Sequence, residues 1–167
     1  MSKLEFVQEG ELKTGDQIAV MGQVEDIHPS LLPLMSHTNG KYFHHGIFDK
    51  EKSEVIDISG DTKANAKPRR RPLLEFTAGR GQLYRVIHDE CLPVETTMKM
   101  ADEAVERPGC WPDYDLITNN CETFATFLKT RTKHSAQAYA ALSNVLPMPT
   151  VAAAAYGASG ASGASGN

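Results

Sequence analysis

The stretch that most constrains this chain is Asp115 to Arg131, Asp-Leu-Ile-Thr-Asn-Asn-Cys-Glu-Thr-Phe-Ala-Thr-Phe-Leu-Lys-Thr-Arg. Cys121, Phe124, Ala125 and Leu128 recur at helical spacing, which predicts a helix running to about Arg131 with Cys121 on its buried stripe. Asn119 is the expected N-cap, Glu122 completes a capping-box pattern, and Lys129 and Arg131 fall in the last turn, where cations suit the helix dipole. Cys121 then sits in the first turn, where unpaired backbone N–H groups and the positive end of the dipole favour a thiolate. A small core cysteine on an amphipathic helix explains the same pattern, and only a partner base separates the two readings.

At 167 residues the chain is long enough for one domain with a sizeable core. The formal charge of −4 and the pI near 5.8 point away from nucleic acid as a partner. The basic cluster Lys67, Arg69, Arg70 and Arg71 is expected on a solvated loop. Cys91, Cys110 and Cys121 have no CxxC spacing, and their odd number argues against a disulfide framework, so a reducing, cytoplasmic setting is expected. Met1 to Gly15 lacks the apolar run of a secretory signal, and no uninterrupted apolar stretch reaches transmembrane length. His88, Cys91 and Cys110 have no zinc-like spacing, and no cofactor or metal is expected.

Along the chain, Gly10 to Asp16 is polar turn material and Gln17 to Met21 reads as a strand with Ile18 and Val20 on one face. Val24 to Gly40 carries Pro29 and Pro33 around Leu31, Leu32, Leu34 and Met35, which predicts a surface loop with an apolar tip. Lys41 to Phe48 and Glu54 to Ser59 read as two strands of an antiparallel hairpin. Alternation puts Tyr42, His44 and Gly46 on one face of the first strand and Phe43, His45 and Ile47 on the other, so the two histidines cannot serve one site. On the second strand Asp57 is a lone acid among apolar neighbours; a solvent-facing strand residue is the plain alternative to a functional one.

Gly60 to Arg71 shows no apolar period and is expected to be a loop. Leu73 to Phe76 predicts a short helical turn closed by Gly79 and Gly81, and Gln82 to Ile87 a strand. Val94 to Glu106 has Val94, Thr97, Met98, Ala101, Ala104 and Val105 on one helical face and stops before Pro108. Strands followed by helices make the class α+β, an antiparallel sheet packed against helices. The composition changes after the Cys121 helix, which divides the chain into a domain over residues 1–135, a C-terminal helix over 136–149 and an Ala/Gly/Ser low-complexity tail over 150–167 that has nothing to bury.

Thr14-Gly15-Asp16, Tyr42-Phe-His44-His-Gly-Ile-Phe48 and Asn119-Asn-Cys121-Glu-Thr-Phe-Ala125, in that order, resemble the lecithin retinol acyltransferase-like family, whose marks are a histidine box and an Asn-Cys motif. The resemblance covers Leu12 to Arg131. It implies a permuted papain-like α+β fold, with the histidine on an antiparallel sheet and the cysteine at a helix N-terminus. It also implies thiol-dependent phospholipase A or acyl-transfer activity, with a phospholipid or other acyl donor as partner and peripheral membrane contact. Position by position, Cys121 resembles the nucleophile and His44 the base. The third polar residue, usually a histidine, falls on Asp57 after a turn one residue longer, and Thr123 stands where a histidine is common.

The chemistry implied is an attack by Cys121 on an ester carbonyl, with His44 handling the proton and Asp57 orienting the imidazole. The Cys121 backbone N–H and the Tyr42 hydroxyl are the candidate donors to the oxyanion. Two alternatives belong to other classes: a Cys-His peptidase or amidase, since the same pair cleaves amides, and a non-catalytic interaction module that has kept the fold. Intact Cys121 and His44 speak against the second.

Overall fold

The computed structural model describes residues 2–22, 42–61, 63–113 and 120–133. The apolar-tipped loop at 24–40, the C-terminal helix and the low-complexity tail lie outside the described residues.

Six antiparallel strands form one sheet: β1 (Ser2–Phe6), β2 (Gln17–Met21), β3 (Phe43–Asp49), β4 (Glu54–Ser59), β5 (Lys67–Pro72) and β6 (Leu83–His88), in the spatial order β1-β6-β2-β3-β4-β5. Among the described residues three α-helices accompany it: α1 (Leu73–Thr77), α2 (Val94–Glu106) and α3 (Cys121–Thr130). The α+β expectation holds. The alternation of β2, β3 and β4 is visible in the two cores. Ile18, Val20, Phe48 and Val55 meet Leu73 and Phe76 on one face, and Ile47, Ile56 and Ile58 meet Ala101, Phe124, Ala125 and Leu128 of α2 and α3 on the other.

Two strands depart from expectation. Ser2–Phe6 pairs with β6 at the sheet edge. Lys67–Pro72, expected to be a loop, is the opposite edge strand. Its prolines suit an edge, where an N–H on the open side has no ladder partner to lose. The basic cluster is therefore not on a solvated loop. Arg70 points to one face and bonds Asp49, Glu54 and Asp102, while Arg69 and Arg71 point to the other.

Helix α3 is buried more broadly than its predicted stripe, because Glu122, Thr123 and Thr126 are buried together with Cys121, Phe124, Ala125 and Leu128. Its N-cap is Asn120, not Asn119: the Asn120 side chain accepts from the Thr123 backbone N–H at 2.8 Å, which makes Thr123 rather than Glu122 the third residue of the first turn. Such a cap contributes about 1 kcal/mol and here fixes the end of the helix that carries Cys121. The helix closes at Arg131, in the left-handed region at φ 62°. Lys129 donates to the Gly15 carbonyl at 2.7 Å and ties the C-terminal turn to the start of β2.

Candidate active site

Strand β3 carries the site because it leaves one neighbour halfway along. It pairs with β2 from Phe43 to Ile47, but with β4 only at Ile47, Phe48 and Asp49. Its even-numbered residues turn their backbone groups toward β2, as the bonds Gly22 N–H to Tyr42 carbonyl (2.7 Å) and Phe48 N–H to Asp16 carbonyl (2.9 Å) show. Phe43 and His45 therefore point their backbone groups toward β4, where the ladder has ended. The N-terminus of α3 brings Cys121 into that opening, its sulfur 3.9 Å from the Phe43 carbonyl oxygen and bonded by the His45 backbone N–H. A cysteine on a helix thus reaches a histidine on the sheet.

His44 is hydrogen-bonded to Cys121 on one side, and on the other its Nε2 lies 2.6 Å from Asp57 Oδ2. With Nε2 donating to the carboxylate, Nδ1 is the nitrogen left to face the sulfur. Asp57 can reach the ring because Gly46 stands between them on the same face. A Cβ at residue 46 would come within 2.4 Å of Val55 Cγ1 and 3.3 Å of Asp57 Cβ. Asp57 is fully buried, so it is not a strand residue facing water. Its Oδ2 also accepts from Arg71 Nε (2.8 Å) and Nη2 (2.5 Å), and its Oδ1 from the Ser59 hydroxyl (2.7 Å). Tyr42 places its hydroxyl 3.1 Å from Cys121 Sγ.

The electrostatics follow from these contacts. Burial pushes the Cys121 thiol up, yet the neighbouring His44 charge and hydrogen bond, with the Tyr42 hydroxyl and the His45 N–H, bring it below the ordinary thiol range. Burial pushes His44 down, yet Cys121 and Asp57 raise it from 6.5 to about 9. Burial pushes Asp57 up, but His44, Arg71 and Ser59 hold it below the usual carboxylate range. The two shifts run in one sense, toward a thiolate beside an imidazolium. Cys91 and Cys110, by contrast, are exposed free thiols.

The structure therefore brings Cys121, His44, Asp57 and Tyr42 together. Two parts of this neighbourhood escaped the sequence reading. Arg71 lies in a segment without an apolar period, yet one signal for it exists: Asp57-Ile-Ser59 and Arg69-Arg-Arg71 carry complementary groups at the same period of two, as paired strands do. The other is a polar cluster on the far face of β3. There Gln17 bonds the Nδ1 of His45 (3.3 Å), the Thr126 hydroxyl (3.3 Å) and, through its carbonyl oxygen, His88 Nε2 (2.7 Å). Among the described residues no group of three or more His, Cys, Asp or Glu is arranged to hold a metal ion.

A family model described as lecithin retinol acyltransferase matches residues 11–134, a span that contains all four of these side chains. The chain belongs to the lecithin retinol acyltransferase family. No curated protein matches it in sequence. Membership brings a function of the cysteine-based acyltransferase or hydrolase type. Within the lecithin retinol acyltransferase domain, the buried thiol and imidazole lie at the point where α3 meets β3.

Proposed function

We propose that this protein is a cysteine-dependent acyltransferase or phospholipase A-type hydrolase that works through an acyl-thioester on Cys121. The observation that carries the reading is the continuous chain from the Cys121 sulfur through His44 to Asp57, on a thiol held below its ordinary range. The thiolate attacks an ester carbonyl, a C–S bond forms, and the oxyanion is met by the Cys121 backbone N–H and the Tyr42 hydroxyl. As the C–O bond breaks, His44 gives its Nδ1 proton to the departing alkoxide. Water, an alcohol or an amine, deprotonated by His44, then attacks the thioester and returns the thiolate. Asp57 keeps the imidazole in the orientation that both half-reactions need.

A lipid donor is favoured by the surface beside the site. Leu4, Phe6 and Met21 are exposed on the same sheet face as Phe43, and the rings of Phe6, Tyr84 and Phe43 follow one another edge to face, with centroids 6.4 and 5.6 Å apart. Such a surface suits acyl chains and peripheral contact with a membrane in the cytoplasm, and nothing in the charge balance favours nucleic acid. Among the described residues no helix is long and apolar enough to cross a membrane. Cys121 has no exposed surface, so the donor must displace what covers the sulfur.

The test is mass spectrometry of the intact protein after incubation with phosphatidylcholine vesicles. The expected result is a fatty-acyl mass increment on Cys121 that hydroxylamine removes. An increment seen only with amide or peptide substrates would replace this reading with a peptidase or amidase. No increment with either class would leave an interaction module.

A further inference from the structure

Asp57 raises a problem that the thiol and imidazole do not raise by themselves. A thiolate beside an imidazolium is neutral as a pair, and it can form in a buried site without stranding charge. Adding an ionised, fully buried carboxylate leaves the group one negative charge in excess. Arg71 supplies the missing cation. It projects from β5 on the face shared with Asp57 and Ser59, and two of its nitrogens converge on the same Oδ2 that accepts the His44 Nε2–H. Phe76, from the helix that follows β5, lies beside both cations: the guanidinium carbon is 5.1 Å from its ring centre, and the His44 ring is 5.4 Å away on centroids.

We propose that Arg71 is a positioning residue of the Cys121 site, clamping Asp57 toward His44 and cancelling its charge so that thiolate and imidazolium form within a cluster neutral overall. The proposal rests on the acyl-thioester reading above. The groups facing this cluster are few. His44 meets Cys121 from α3 and Asp57 from β4, with His45 next in the chain. Asp57 meets His44, Arg71 and Ser59, and Arg69 bonds the Ser59 hydroxyl from outside. Arg71 neither reacts nor bonds the thiol, and its hydrogen bonds go to Asp57, so its effect must pass through that carboxylate.

The experiment is a titration of the His44 ring followed by ¹⁵N NMR, with the rate of Cys121 acylation measured in parallel, for wild type, Arg71→Gln and Arg71→Lys. Wild type should titrate near the raised value of about 9. Arg71→Gln removes a cation and leaves the carboxylate's full charge on the imidazolium, so the His44 midpoint should rise by on the order of one pH unit. Acylation at pH 7 should slow about tenfold, because an imidazolium held harder is a poorer acid toward the leaving group. Arg71→Lys keeps the charge but not the two converging N–H groups: the midpoint should stay within a few tenths of wild type, on the order of 0.3 pH units, while acylation slows several-fold. A purely structural arginine would lower activity without moving the midpoint.

An unmoved or lowered midpoint in Arg71→Gln overturns the proposal. If that variant does not fold, wild-type acylation by Arg71→Lys overturns it as well. A wild-type midpoint near 6.5 is a different failure. It would mean that no thiolate–imidazolium pair exists and would overturn the proposal too, whereas the acyl-thioester reading falls only if wild type forms no acyl adduct on Cys121.

Discussion

His44 and His45 are neighbours in one strand, 9% and 4% exposed, and they are driven in opposite directions. His44 is raised to about 9, whereas His45 is lowered to about 4. Burial acts on both in the same sense, so burial is not what distinguishes them. The pleat sends His44 to the face where a thiol and a carboxylate wait, and His45 to the face where an uncharged amide, Gln17, bonds its ring. On the His45 side the Glu122 charge opposes burial, and it loses to desolvation with the repulsion of His44 and His88 added. Depth sets the default of a buried histidine, and the partner within hydrogen-bond reach decides whether the default stands.

The sharpest way to break this comparison is to remove each ring in turn. His44→Ala, like Cys121→Ser, should lower acyl-enzyme formation by on the order of 10⁴ to 10⁶. His45→Gln should stay within about threefold of wild type, because only its backbone N–H reaches the sulfur and a substitution of the side chain leaves that group in place. Stopped-flow or quenched mass spectrometry of the acyl adduct measures both. Comparable losses at the two positions would mean that the faces of β3 are not functionally separate.

A smaller effect sharpens the same point by altering only the partner. Asp57→Asn keeps volume and strand but replaces an acceptor of the His44 proton with an amide that cannot steady the imidazolium. Acylation should slow by on the order of 10² to 10⁴ with the Cys121 helix intact by circular dichroism. Wild-type turnover would reduce the site to a dyad and leave Asp57 as ballast for Arg71.

The sequence made some of this legible and hid the rest for identifiable reasons. Strand β4 and helix α2 fall on their predicted bounds because their apolar periods are local and uninterrupted. The hairpin register follows from the same alternation and puts His44 and Asp57 on one face. Strand β1 was missed because its residues are exposed and only Leu4 and Phe6 alternate among polar neighbours. Strand β5 was missed because prolines and arginines are poor strand formers; it is held by charges on the strand beside it, a tertiary fact. The cap was off by one because Asn119 and Asn120 are both good N-caps, and nothing local chooses between them. What a helix or strand buries can be read from its own residues, but whom a buried charge meets cannot.

The last consequence is the smallest and concerns stability rather than rate. For His45 the folded value of about 4 lies below the ordinary 6.5, so the unfolded chain binds its proton first as the pH falls. Its contribution is fully present above about pH 6.5 and is lost between there and about pH 4, amounting to about 3 kcal/mol. His44 has the opposite sign: its folded value is raised, so its contribution is full below about 6.5 and is lost as the pH climbs through about 9. Urea unfolding from pH 4 to 9 should therefore show His45→Gln losing less stability than wild type on the acid side and tracking it above pH 6.5. The His44 term is offset within its own pair, because Cys121 is held below its ordinary 9.0: between about pH 6.5 and 9 the folded pair and the unfolded chain each carry one proton, so wild type should stay level over that range. If His45→Gln instead loses stability in acid in parallel with wild type, the downward pull on His45 is not real, and the two faces of β3 impose one environment rather than two.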